Sequence, residues 1–385
     1  MGVFEQKIVE VCNAALQNAT SFSSALQACR GLYPIDAFKA FQEIDERRSF
    51  ELLRNEFGYG GFHLSQNFSH SSFVLSTWEF CTESRKIIAE NSWGKRDNVC
   101  LLGAPSLVSL LPDADLNNCH LLIDIRELDN GSSSSNYRHL SYDLNVLRGE
   151  EFSNEFDVCF LDPPWYMSNY LHWIEVAAKY CKVGGIVSFP LLGELTRPSA
   201  EADRKAILRH CERIGLEVEI EADLALYDLP TFEERMLIDA GLPPCKWKRA
   251  DIVRGRKIHA ERTLIPFQMP DPLPLFSQVN LLGLTFDVVF DRFNSGTTKL
   301  IEIPNEGFWM TTPSRREAGS DKCNIFTSNG ARLISERPLE LVSKLCRLAN
   351  KSKLQVRAEL LDLGIPLELF PTLFHDEGPV TFAYR

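Results

Sequence analysis

Between residues 98 and 227 the chain alternates short apolar runs with stretches of helical length, and that alternation constrains the fold more than any other feature. The runs are "NVCLLG" (98–103), "CHLLIDI" (119–125), "FDVCFLD" (156–162), "GGIVSFPLL" (184–192) and the more evenly alternating "LEVEIEADLALY" (216–227). "SNYLHWIEVAAKYCKV" fills one interval with a helical pattern, and "SAEADRKAILRHCERIG" (199–215) fills another, closed by Gly215. Strands separated by helices build βαβ units around a parallel sheet. The predicted fold class is α/β.

The flanks read differently. "FEQKIVEVCNAAL", "SFSSALQAC", "YPIDAFKAFQEI" and "SFELLRNEF" predict a helical region over 1–60, ended by the "GYGGF" break. The sheet domain is expected over 61–245. Beyond it, over 246–385, "LGLTFDVVFDRF", "TKLIEI", "GFWMTT" and "GPVTFAYR" suggest strands, and "PLELVSKLCRLAN" and "KLQVRAELLDLG" suggest helices, a C-terminal α+β module after the Pro-rich "MPDPLPLF". No apolar run approaches the roughly 18 residues of a membrane span, and no secretory pattern opens the chain. Eleven scattered cysteines without a CxxC pair suit reduced thiols in a cytoplasmic setting, and no His/Cys set has metal spacing. The net charge of −11 excludes a generally polyanion-binding surface, so a nucleic-acid substrate would need a local basic patch.

In an open parallel sheet ligands bind beyond the C-terminal ends of the strands, and four such ends carry suggestive residues. "LLGAPSL" puts Gly103 after a strand, before small residues and a helix, where a backbone can approach a ligand. Asp124 ends the next strand about 20 residues on, the spacing at which Rossmann-like folds place an acid on ribose hydroxyls. Asp143 in "HLSYDLN" is a candidate acceptor for an adenine amino group. "LDPPWY" is the most specific: two prolines give a stiff backbone without N–H donors, Asp162 adds a side-chain acceptor, and Trp165 or Tyr166 can stack on a planar ring or enclose an alkylammonium. Such a set orients an amine. His139 and His172 read as structural, and Arg315 and Arg316 as a solvated loop.

The residues from Leu64 to about Leu192 resemble the probable N6-adenine methyltransferases, a family of class I S-adenosylmethionine-dependent enzymes that includes elongation-factor lysine methyltransferases. The resemblance runs in order through "LSQNFSHSSFV", "VCLLGAPSL", "LLIDIREL", "LSYDLN" and "FDVCFLDPPWY", with Asn67-Phe68 departing from the family's aromatic pair. It implies a Rossmann-like class I sheet with S-adenosylmethionine as cofactor. It also implies that Ser65 and Gln66 close over the cofactor, that Gly103, Ala104, Pro105 and Ser106 line its methionine end, and that Asp124 and Asp143 face ribose and adenine. Asp162, Pro163, Pro164 and Trp165 would hold the substrate amine.

Two acceptors follow, adenine in nucleic acid and a lysine of a basic protein. The first is the primary expectation: a flipped base would stack on Trp165, and "KWKRADIVRGRKIHAER" would supply phosphate contacts through Lys246, Lys248 and Arg249 with Trp247 interleaved. Tyr166 joins these as a substrate contact. The lysine reading rests on the family precedent and on the acidic net charge. A third reading is a non-catalytic scaffold whose nucleotide pocket acts as a sensor.

Overall fold

A computed structural model describes residues 2–57, 78–113, 119–126, 137–230, 233–234, 237–238, 240–259, 270, 276–281, 284–290, 301–302, 323–327, 332–348, 351 and 353–363. Ser65, Gln66, the "GYGGF" break, "GFWMTT", Arg315, Arg316 and "GPVTFAYR" lie outside these residues.

Seven strands form the main sheet: β1 (Val99–Leu102), β2 (Leu121–Asp124), β3 (Arg138–Ser141), β4 (Phe156–Leu161), β5 (Cys181–Leu192), β6 (Leu216–Leu226) and β7 (Arg249–Lys257), in the order β3-β2-β1-β4-β5-β7-β6. β1 to β5 are mutually parallel, whereas β7 lies antiparallel between β5 and β6. β1 is buried end to end and β4 at every position but Asp157, as strands covered on both faces must be. The order reverses between β1 and β4, which opens a crevice at their C-terminal ends.

Two structural findings depart from the sequence expectations. The basic segment after residue 245 is β7, a strand inside the sheet, so the sheet runs on to Lys257. The helix expected after "GAPS" is a single 3₁₀ segment, Pro105–Leu110. Pro105 at its first position has no N–H to leave unsatisfied.

Helices α4 (Thr82–Ser92), α5 (Met167–Tyr180) and α6 (Ala200–Arg213) cover the sheet. α5 buries nine of its fourteen residues, including Tyr170 and Trp173, against β4 and β5. The N-terminal region folds as α1 (Val3–Asn18), α2 (Phe22–Gln27) and α3 (Pro34–Phe57), the last kinked at Asp45. Its core is shared with Leu195, Leu237, Leu242, Cys245 and Trp247, so these helices are joined to the loops leaving β5 and β6. Ion pairs from Lys7 and Arg30 to Glu194 lie on the same seam. In the C-terminal module β8 (Phe276–Leu281), β9 (Leu284–Val289), β10 (Ile301–Glu302), β11 (Ile325–Thr327) and β12 (Arg332–Ile334) form an antiparallel sheet. Helices α7 (Pro338–Leu348) and α8 (Lys353–Asp362) share one core with it. No described helix is long and apolar enough to cross a membrane.

Candidate active site

The C-terminal edge of the sheet gathers the chemistry. Gly103 follows β1 with φ +64°, and its N–H donates to the Ile123 carbonyl at 2.8 Å. A Cβ on Gly103 would lie 2.6 Å from the Trp173 ring, so both the turn and the packing beneath it require glycine. Asp162 follows β4, with its N–H on the Leu102 carbonyl at 3.0 Å. These two bonds continue the pairing of neighbouring strands and hold the Gly103 and Asp162 loops side by side.

Asp124 ends β2 and is 5% exposed. Its Oδ1 accepts from the Arg126 backbone N–H at 2.8 Å and from Arg126 Nε at 3.0 Å, and its Oδ2 accepts from Arg126 Nη2 at 3.3 Å. A carboxylate offers about four acceptor sites, so this one keeps capacity for a hydroxyl. Asp143 caps a short 3₁₀ turn, Leu144–Val146, through its Oδ1 and the Asn145 N–H at 2.9 Å. Asn145 Oδ1 in turn accepts from Trp173 Nε1 at 3.0 Å and from Asn169 Nδ2 at 2.7 Å. Asp143 thus shapes the loop beyond β3. His172 is buried against the Leu144 carbonyl, a structural position.

The Pro-Pro segment is only partly the row of free acceptors expected from sequence. The Pro164 carbonyl already accepts from the Tyr166 N–H at 2.6 Å, and Tyr166 is the N-cap of α5. The Trp165 carbonyl accepts from Arg197 Nη1 at 2.7 Å, and Arg197 pairs with Asp203 at 2.7 Å. The loop after β5 therefore clamps the tryptophan in place.

Tyr227, Trp78 and Lys248 complete the site, and sequence reasoning missed the first two. Tyr227 stands just past β6, and its hydroxyl donates to Asp162 Oδ1 at 2.7 Å. Its backbone N–H donates to the Lys248 carbonyl at 3.1 Å, which continues the β6–β7 register and sets Lys248 opposite it. Trp78 is brought in by the segment Glu79–Cys81, which pairs with the end of β6 through a Phe80–Tyr227 bridge. Lys248 Nζ then lies 4.3 Å from the ring centre of Trp78, 4.4 Å from that of Trp165 and 4.7 Å from that of Tyr227. Trp165 and Trp78 each meet Tyr227 edge-on. Three rings around one ammonium form a cation box.

Burial dominates the electrostatics here. It pushes the Asp162 carboxyl up to about 7, against the Tyr227 hydrogen bond and the positive charges of Lys248 and Arg126, which pull it down. Burial also lowers the Lys248 ammonium to about 8, with Asp162 and Glu233 opposing. Tyr227 is held well above the ordinary phenol range by burial and by Asp162.

The other residues of the basic stretch are engaged elsewhere. Trp247 is 7% exposed and packs edge-on against Tyr33 and Trp78 in the N-terminal core. Lys246 pairs with Asp228 at 2.7 Å. Arg249 reaches the carbonyls of Gln27 and Asp223, each at 3.5 Å. Lys257 is buried on Asn154 and the Ala178 and Cys181 carbonyls. The structure thus does not assemble Lys246, Trp247 and Arg249 into an open basic strip. Among the described residues no His/Cys/Asp/Glu group has the arrangement of a metal site.

No protein-family model matches the chain, and no curated protein does. Solved structures do. A variant of the branched-chain polyamine synthase from Thermus thermophilus, in complex with N4-aminopropylspermidine and 5'-methylthioadenosine, superposes with a TM-score of 0.51 at 15% identity, covering 69% of this chain and 91% of that one. The unmodified synthase gives 0.50, covering 68% and 89%. The chain has a Rossmann-like α/β fold. A SAM-dependent O-methyltransferase from Thermotoga maritima aligns at a TM-score of 0.33 and 12% identity, over 48% of this chain and 69% of that one.

Proposed function

We propose that the chain is an S-adenosylmethionine-dependent N-methyltransferase whose acceptor is an alkyl amine, foremost a lysine side chain of a basic protein. The observation that carries this reading is the ammonium of Lys248 held by Trp78, Trp165 and Tyr227 beside Asp162. The box has the chemistry of a primary ammonium, and its rings and acid suit a cation better than a neutral base. The Thermus polyamine synthase supports it, since an adenosyl thioether and a polyamine occupy that protein together. Adenine in nucleic acid has less support, because the residues expected to contact phosphate are spent on β7 and on the N-terminal core.

The cofactor requires a close backbone turn and a carboxylate for ribose. Gly103 at positive φ supplies the first and Asp124 the second, with Ala104, Pro105 and Ser106 continuing the turn. When bound, the cofactor supplies a methyl group on a sulfonium, already a strong electrophile. The protein's task is then positioning, with the amine held about 3–3.5 Å from the carbon it attacks. Asp162 and the Pro163 carbonyl orient that nitrogen. An ammonium has no lone pair, so it must first lose a proton, and a carboxyl lifted to about 7 is suited to accept it. Tyr227 holds Asp162, and Arg197 holds Trp165.

Calorimetry with S-adenosylmethionine, followed by tritiated methyl transfer to lysine-rich protein, polyamine, DNA and RNA, tests the proposal. It expects cofactor binding and label on an alkyl amine. Label confined to nucleic acid would replace the acceptor class, and no cofactor binding by the folded chain would end the enzyme reading.

A further inference from the structure

Lys248 occupies the place where the proposed function puts a substrate amine. It is the residue before β7, and its backbone is fixed by the Tyr227 N–H. Other lysines on this domain sit on oxygen: Lys182 on Asp157, Lys205 on Glu201, Lys246 on Asp228 and Lys257 on carbonyls. Among the described residues no carboxylate comes within ion-pair distance of Lys248 Nζ, which faces three aromatic rings instead. One of those rings is Trp165 of the Asp-Pro-Pro-Trp segment, and another, Tyr227, is hydrogen-bonded to Asp162. Lys257, buried in the same sheet, is held by the Asn154 side chain and the Ala178 and Cys181 carbonyls instead.

We propose that Lys248 is itself a methyl acceptor, so that the chain methylates its own box lysine. This inference rests on the proposed methyltransferase function and adds a modification site to it. In the step, Lys248 first releases a proton to solvent, and the freed lone pair of Nζ forms the new N–C bond. The S–C bond of the methyl sulfonium breaks with its electron pair passing to sulfur, which leaves a neutral thioether. The methylated ammonium keeps its charge at neutral pH and gains apolar surface, which strengthens its hold on the three rings.

The test uses the purified full chain with S-adenosylmethionine and no other acceptor, read by intact mass and peptide mapping. The proposal expects a methyl-mass gain on the Lys248 peptide, with a rate independent of protein concentration, and its loss in Lys248→Arg. A second readout needs no cofactor. Reductive methylation of the lysines with ¹³C-formaldehyde, followed by NMR, should show one methyl resonance shifted by ring currents, titrating near pH 8 and absent from Lys248→Arg. If the chain binds the cofactor and labels a lysine peptide while its own Lys248 stays unmodified, self-methylation is wrong and the methyltransferase reading stands. If the cofactor does not bind, both fail. A rate that rises with protein concentration overturns the intramolecular step, and an unshifted resonance overturns the box.

Discussion

Tyr227 donates a 2.7 Å hydrogen bond to Asp162 across 65 residues of sequence. That contact joins the end of β6 to the loop after β4 and makes Tyr227 a positioning residue for the acid. Tyr227→Phe keeps the ring in the box and removes the hydroxyl. A hydrogen bond to a charged group contributes about 1.5–3 kcal/mol, so methyl transfer should fall roughly 10- to 100-fold. Because the bond lowers the Asp162 pKa, its loss should move the acid limb of the pH–rate profile upward. Cofactor affinity should be unchanged by calorimetry. An unshifted profile would deny Tyr227 this role.

Lys248 and Asp162 also predict a pH dependence of stability. Lys248 drops from an ordinary 10.5 to about 8 on folding. The folded chain therefore binds fewer protons than the unfolded chain between these values, and this group's contribution raises stability as pH climbs through that window. Asp162 is raised from 3.8 to about 7, so its contribution lowers stability as pH rises from about 4 to 7. The groups facing Lys248 are Asp162, Tyr227 and Glu233, and Asp162 also feels Arg126 and Asp124. Urea unfolding from pH 5 to 10 should show the alkaline gain in the natural chain and its absence in Lys248→Met.

Gly103→Ala tests the turn after β1. The new Cβ would meet the Trp173 ring at 2.6 Å at a φ of +64°, and that ring is anchored by its own bond to Asn145. The cost should be about 1–3 kcal/mol, read as a lower thermal midpoint together with weakened cofactor binding. A variant as stable as the parent would show that the turn can relax.

The basic stretch predicts a stability phenotype. Trp247→Ala removes a buried indole from the N-terminal core, a change of about 3–5 kcal/mol. Lys246→Ala breaks a half-exposed pair with Asp228 and should cost at most about 1 kcal/mol. Neither should change the salt dependence of any nucleic-acid retention in filter binding. A slope reduced by Lys246→Ala would restore this residue as a phosphate contact.

What could be read from the sequence was local. β1, β2, β4 and β5 are apolar runs, and Asp162 to Trp165 is a contiguous motif, so both were visible before the chain was folded. β3 was hidden because none of its four residues, Arg138 to Ser141, is fully buried and they form no apolar run. β7 was read as a basic patch because its three arginines and one lysine mask Ile252 and Val253, whose branched side chains carried the strand signal. The box was beyond reach: Trp78, Trp165, Tyr227 and Lys248 come from four segments, brought together by the β6–β7 pairing, the Phe80–Tyr227 bridge and the Tyr227–Asp162 bond.

The most direct test compares the natural chain with Asp162→Asn, measuring S-adenosylmethionine binding by calorimetry and tritiated methyl transfer to a lysine peptide in parallel. The account predicts that the variant binds the cofactor nearly as well and transfers at least about 100-fold more slowly, a general acid–base group being worth about 10²–10⁴-fold. A variant that retains the full transfer rate would contradict the placement of the amine at Asp162.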